Sequence, residues 1–150
     1  MRKIAFIMTC HNRKLKTTAC LQSLFSIMSD VDVYLTDDAS SDGTSEIVQS
    51  QFPSVHIIKG DGNLFWNRGM HLAWSEAIKV GYDFYVWLND DVILKPYFME
   101  ELFHTYSLAG KLSIVSGIII DIEDGQVIYG GTDENKKLNP IDGQIHDVTD

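Results

Sequence analysis

Phe84-Tyr85-Val86-Trp87-Leu88 runs directly into Asn89-Asp90-Asp91. Five consecutive apolar residues suit a strand covered on both faces, as strands of parallel sheets are. The run is therefore expected at a central position. Two adjacent carboxylates at its end repel each other, a cost that a merely connecting loop need not accept. The stretch reads as a buried strand delivering acidic side chains to the rim of a sheet. In open α/β sheets, ligands bind beyond the carboxyl ends of the strands.

Upstream, the same alternation of short apolar runs and helical patterns recurs, which is the mark of a mostly parallel sheet covered by helices. Ile4 to Thr9 is a first strand. A helix follows from about Leu15 to Ser29, with Leu21, Leu24, Phe25 and Met28 at the spacing of one face. Val31 to Thr36 is a second strand, and Asp37 to Gly43 is a loop of Asp, Ser and Gly. Thr44 caps a short helix ending near Phe52 and Pro53. Val55 to Lys59 is a third strand, and Phe65 to Val80 is a helix stopped by Gly81. Downstream, Pro96 marks the first turn of another helix, with Phe98, Leu102, Phe103 and Tyr106 as its buried stripe. Ser113 to Ile120 and Gln126 to Tyr129 are two strands joined by a turn at Glu123-Asp124-Gly125. Thr132 to Asp150 is polar and without pattern.

The chain has 150 residues, the size of one domain. With 45% hydrophobic and 22% charged residues, it has the composition of a soluble globular protein. A net charge of -9 argues against a nucleic-acid partner, which demands clustered Lys and Arg. It leaves room for a phosphate held through a metal. Cys10 and Cys20 form neither a zinc pattern nor a disulfide framework, and read as buried, reduced thiols of a cytosolic protein. No apolar run approaches the ~18 residues of a transmembrane helix.

Three polar clusters fall at strand ends, Thr9 to Arg13, Asp37 to Gly43 and Asn89 to Asp91, and together they suggest one shared site. The carboxylates and amide of Asn89-Asp90-Asp91 are hard oxygen ligands, suited to Mg²⁺ or Mn²⁺ shared with substrate phosphates. In the second cluster, positions 38, 40, 42 and 43 match the opening of a calcium loop. The twelfth position would be Gln49 and the segment follows a strand, so that reading fails. A carboxylate there can instead accept from the ring N–H of a pyrimidine base. Gly60-Asp61-Gly62-Asn63 precedes a helix, where glycines admit close backbone approach and the helix N-terminus favours anions. Arg68, one turn in, faces a diphosphate or solvent. Trp66, Trp74 and Trp87 read as packing residues, with Trp66 beside the glycine turn the exception. No nucleophilic triad can be placed, and no mononucleotide P-loop occurs.

The order of these clusters resembles the family 2 glycosyltransferases of GT-A fold. Thr9-Cys10-His11-Asn12-Arg13 is similar to that family's post-strand start, with His11 where an aromatic residue usually stands. Asp37-Asp38-Ala39-Ser40-Ser41-Asp42-Gly43-Thr44 resembles its "DD-x-S-x-DGT" block. Gly62-Asn63-Leu64-Phe65-Trp66-Asn67-Arg68-Gly69 resembles its "GN-x-G" segment, and Trp87-Leu88-Asn89-Asp90-Asp91 stands where the D-x-D motif does. Ser116 to Gly131 resembles a rhamnosyltransferase-like subgroup. The likeness covers about Lys3 to Gly131.

The resemblance implies a donor-binding domain at 1–131, with 132–150 a polar tail or the start of an acceptor-binding part. It implies Thr9, His11, Asn12 and Arg13 around the nucleoside, and Asp38 on the base with Asp37 in support. Gly62, Asn63 and Arg68 would join them, and Asn89 and Asp90 would lie at the diphosphate. Asp91 and Asn89 would hold the metal. The implied reaction is inverting transfer from a UDP- or dTDP-sugar to a saccharide or lipid-linked acceptor, in cell-surface polysaccharide synthesis. The place is the cytoplasm, at the inner face of the membrane. Family members usually continue for ~100 residues or more, so the general base is expected beyond residue 150. The competing expectation is a nucleotide-binding module without turnover.

Overall fold

The computed structural model describes residues 2–110, 113–121, 123–129, 136–138 and 145–147. The chain divides into two compact units, Met1–Lys95 and Pro96–Asp150. The first contains β1 (Ile4–Cys10), α1 (Lys14–Ile27), β2 (Asp32–Asp37), α2 (Thr44–Gln51), β3 (Val55–Lys59), α3 (Phe65–Ala77) and β4 (Phe84–Trp87). Its sheet has the order β3-β2-β1-β4, with every neighbouring pair parallel. Strand–helix alternation thus produces the parallel α/β architecture expected of it.

The apolar run of β4 does not take the central position. That place belongs to β1, whose seven residues are all buried between β2 and β4. β4 closes the described order, with Phe84, Tyr85 and Val86 half-buried and Trp87 exposed. An unbroken apolar run reports burial, but it carries no information on which strands lie beside it.

Side chains of a strand alternate between faces. Ala5, Ile7 and Tyr34 face α3 and form a cluster with its Met70, Ala73 and Ala77. Phe6, Met8, Val33 and Leu35 take the other face and are equally buried. Cys20, Leu21 and Leu24 of α1 and Val48 of α2 are buried there as well. Gly69 lets α3 approach the sheet closely, and its carbonyl accepts from the Thr36 hydroxyl at 2.9 Å.

Two helix ends differ from the sequence reading. Thr44 does not cap α2. The Asp42 carboxylate does, accepting from the Thr44 N–H at 3.0 Å and the Thr44 hydroxyl at 2.5 Å. A carboxylate suits this place because helix N-termini expose unpaired N–H groups and a partial positive charge. α3 stops at Ala77, and a turn leads to Gly81, whose φ of 81° ends the segment.

The second unit begins with α4 (Phe98–Ala109). Its fully buried residue is Met99, while Phe98, Leu102, Phe103 and Tyr106 are half-buried. Met99, Leu102, Phe103 and Tyr106 complete the i, i+3, i+4, i+7 stripe, and Phe98 stands at its flank. β5 (Ile119–Ile120) and β6 (Val127–Tyr129) pair antiparallel around Gly125, so the expected hairpin forms with a shorter first strand. Inside the stretch read as patternless, β7 (Lys136–Leu138) pairs antiparallel with β8 (Ile145–Asp147). Among the described residues no helix is long and apolar enough to cross a membrane.

Candidate functional site

Parallel register brings the polar clusters together. Cys10 stands opposite Asp37, and Asp37 opposite Lys59, so β1, β2 and β3 end level. Trp87 stands opposite Ile7, and Leu88 N–H donates to the Ile7 carbonyl at 3.0 Å, so Asn89-Asp90-Asp91 emerges beside the end of β1. Hydrogen bonds join the clusters into one rim. Asn12 N–H donates to Ser40 Oγ at 2.9 Å, and Asn12 Oδ1 accepts from Ser41 N–H at 2.7 Å. His11 Nδ1 lies 2.5 Å from the Asp38 carbonyl. A carbonyl can only accept, so Nδ1 carries the proton and Nε2 faces the Asn12 amide at 3.1 Å.

Asp38, expected at the base, is engaged by its own chain. Its side chain is buried, and its two oxygens accept from the backbone N–H groups of Gly62, Leu64 and Phe65 at 2.7, 2.9 and 3.1 Å. The carboxylate holds the glycine turn and the first residues of α3 against β2. Gly60 must lack a side chain here, since a Cβ would lie 2.5 Å from Asp38 Oδ1 and 2.9 Å from its Cα. Thr9 is likewise engaged within the fold. Its hydroxyl donates to the Thr36 carbonyl at 3.2 Å, on the face that Gly69 of α3 covers. Residue 9 shares its face with Ala5 and Ile7, and α3 lies on that face.

Asp37 is buried and accepts from Ser40 N–H at 2.9 Å and from the Ser45 hydroxyl, with Lys59 Nζ at 3.4 Å. Burial pushes its carboxyl up, but the bonds from Ser40 and Ser45 and the Lys59 charge outweigh this and hold it below the ordinary range. A depressed folded value stabilises the native state above the unfolded pKa, and that contribution vanishes as pH falls through the folded value. Asp37→Asn should therefore lose less stability than wild type between pH 5 and pH 2 in urea melts. Parallel acid curves for the two proteins would refute this role.

Asp90 and Asp91 share one arginine. Arg13 Nη1 donates to Asp90 Oδ1 at 2.8 Å and Nη2 to Asp91 Oδ2 at 3.0 Å. Asp90 is buried and its other oxygen accepts from the Thr17 hydroxyl at 3.0 Å. Burial raises its carboxyl above the usual range even though Arg13 and Thr17 pull it down. Asp90 is thus enclosed, while Asp91 stands exposed, its second oxygen without a partner among the described residues. Asn89 is exposed, and its Oδ1 accepts from the Trp66 indole at 2.9 Å. Gly62 has φ of 87°, and Asn63 N–H turns back to Asp61 Oδ1 at 2.9 Å. Arg68 bonds the Asn63 and Leu64 carbonyls of its own turn, so its guanidinium does not reach into the rim.

Cys10 and Cys20 are buried free thiols, as expected, and burial pushes both up to about 12. The tryptophans are not core residues. Trp66, Trp74 and Trp87 are 51%, 37% and 46% exposed, with Trp87 edge-on to the other two at 6.0 Å. Sequence reading missed Thr17, Ser45 and Lys59, which hold the buried aspartates. Lys59, a charge ending an apolar strand, was a legible signal; Thr17 and Ser45 gave none.

The model of the family described as Glycosyl transferase family 2 matches residues 5–146. No curated protein sequence matches the chain. Among solved structures, S. aureus TarS 1-349 aligns with TM-score 0.59 at 18% identity, over 68% of this chain and 31% of that one. The same TarS portion in complex with UDP aligns with TM-score 0.52 at 21% identity, over 59% and 27%. At these identities the likeness concerns the fold, and this chain spans less than a third of either TarS chain. Because the family match runs through the parallel sheet and its whole rim, the chain belongs to glycosyl transferase family 2, and its fold is GT-A-like.

Proposed function

We propose that this chain binds a UDP- or dTDP-linked sugar at the rim beyond β1, β2 and β4. It would serve the donor side of an inverting transfer to a saccharide or lipid-linked acceptor, in cell-surface polysaccharide synthesis. The observation that carries the reading is the exposed Asp91 carboxylate, held beside the buried Asp90 by one bidentate arginine. The UDP complex of TarS supports a pyrimidine nucleotide. Residues 1–131 would form the donor part and 132–150 the start of the acceptor part, working in the cytoplasm at the inner membrane face.

Whether Mg²⁺ or Mn²⁺ fits can be judged from the donors. Among the described residues no three His, Cys, Asp or Glu side chains cluster as a metal cage. Asp90 has both oxygens engaged. Within the triplet Asp91 is the exposed carboxylate, and these cations often bind through one or two carboxylates plus substrate phosphates. The residues therefore fit a cation shared with a diphosphate. When bound, it supplies charge neutralisation for the leaving nucleoside diphosphate. Arg13 orients Asp91 and keeps the paired carboxylates from repelling each other. His11 and Asn12 border the nucleoside, and the Gly62 turn, pinned by Asp38, shapes the floor beneath it.

Calorimetric titration with UDP, dTDP and GDP, with and without Mn²⁺, tests the reading. A pyrimidine diphosphate should bind in a Mn²⁺-dependent way. Asp91→Asn should weaken that binding by about tenfold or more, roughly 1.4 kcal/mol, with the urea midpoint little changed because Asp91 is exposed. Unchanged affinity in Mn²⁺ would sink the assignment of Asp91.

A further inference from the structure

Asn89 carries a consequence fixed by hydrogen-bond chemistry. An indole N–H only donates, so the Asn89 atom 2.9 Å from Trp66 Nε1 is the amide oxygen. That contact sets which way the amide faces. The NH₂ group is then directed away from the indole, and it has no partner among the described residues. Trp66 is itself held, lying edge-to-face on Trp87 at 6.0 Å, and Trp87 rests on Trp74 in the same way. The amide therefore sits at the rim in one orientation, beside the Asp91 carboxylate.

We propose that Trp66 is a positioning residue that locks Asn89 with its NH₂ toward the ligand. Asn89 then donates to an oxygen of the bound nucleoside diphosphate and is not a ligand of the cation. This rests on the donor-site reading above. An amide nitrogen with two hydrogens has no lone pair to offer a metal, whereas it is a good partner for a phosphate oxygen. One of the amide oxygen's two lone pairs is already committed to the indole, and the amide is turned to present its NH₂. The arrangement assigns the two exposed residues of the triplet different tasks, a donor at Asn89 and a carboxylate at Asp91.

The metal dependence of the loss separates the two roles. UDP is titrated into wild type, Asn89→Ala and Trp66→Phe, each in Mn²⁺ and in EDTA. Trp66→Phe keeps an aromatic ring against Trp87 and removes only the N–H. Both variants should weaken UDP binding in Mn²⁺ roughly three- to tenfold, the scale of one hydrogen bond, and by the same factor the weaker binding that remains in EDTA, read at higher UDP concentration. A loss confined to Mn²⁺ overturns the proposal, because it makes Asn89 a metal ligand. A Trp66→Phe protein that binds like wild type overturns the positioning role. The side-chain amide resonances of Asn89 give a readout independent of nucleotide. They should shift in Trp66→Phe while other Asn side chains stay in place, and no shift overturns the orientation. Should wild type bind no nucleoside diphosphate in either condition, the donor-site reading fails together with the ligand role of Asn89. The amide resonances still decide whether Trp66 orients it.

Discussion

Asp38→Ala is expected to lower stability by about 2–4 kcal/mol, read from the urea midpoint. Three backbone N–H groups lose their acceptor at once, and hydrogen bonds to a charged group contribute roughly 1.5–3 kcal/mol each. The sum does not apply in full. Gly62, Leu64 and Phe65 lie in a part-buried turn, so water can satisfy some of the freed donors. Phe65 also has φ of 54°, a left-handed conformation that costs a bulky residue on the order of 1–2 kcal/mol and would relax once released. The remaining loss is still a large part of the roughly 5–15 kcal/mol that a domain possesses. Asp38→Asn should fall between, because an amide has one oxygen for three donors. The amides of Gly62, Leu64 and Phe65 should exchange with deuterium faster than the rest of α3. A stability change below about 1 kcal/mol would show that these contacts do not hold the turn.

The consequence reaches the rim, since the turn that Asp38 pins leads directly into Trp66. An acidic residue read as a base contact is also the anchor of the loop beside it. The sequence block Asp37-Asp38 told correctly that carboxylates gather at the end of a strand, because apolar runs followed by polar clusters are a local pattern. Which atoms they meet depends on register and on the neighbouring chain. Asp37 and Asp38 point to different sides of β2, one toward Ser45 and Lys59, the other toward the glycine turn, and no spacing within the block states that. Thr9, read as a nucleoside contact, turns its hydroxyl to the Thr36 carbonyl for a related reason. Its parity with Ala5 and Ile7 was readable, but the face occupied by α3 was not. β4 shows the same limit at larger scale, for its apolar run gave the strand but not its place at the end of the described order. The Asn89-Asp90-Asp91 cluster was legible as acidic and exposed at a rim. That Asp90 is buried under Arg13 and Thr17, leaving Asp91 as the accessible carboxylate, required the fold.

Gly69→Ala should destabilise by about 2–4 kcal/mol, against the sense of helix propensity. In an exposed helix interior the change would stabilise by roughly 1 kcal/mol. Here the new Cβ would stand 2.9 Å from Thr9 Cβ and overlap the Thr9 hydroxyl. Thr9 belongs to β1, which is hydrogen-bonded to a strand on each side, so neither its backbone nor its Cβ can withdraw. α3 would have to lift, stretching the bond from the Thr36 hydroxyl to the Gly69 carbonyl and opening gaps around Met70 and Ala73. Overpacking of a close-packed core costs about 1–3 kcal/mol, occasionally more. Thr9→Ala should restore only part of the loss in the double variant, since it removes the hydroxyl and leaves the Cβ. The coupling between the two sites should exceed about 1 kcal/mol in a double-mutant cycle. Lifting α3 also carries Trp66 away from Asn89, so Gly69→Ala should weaken nucleotide binding without touching the rim. A Gly69→Ala protein as stable as wild type would mean that the helix does not lie on β1 as closely as described. The interlock of Gly69 with Thr9 would then no longer explain how Trp66 reaches Asn89.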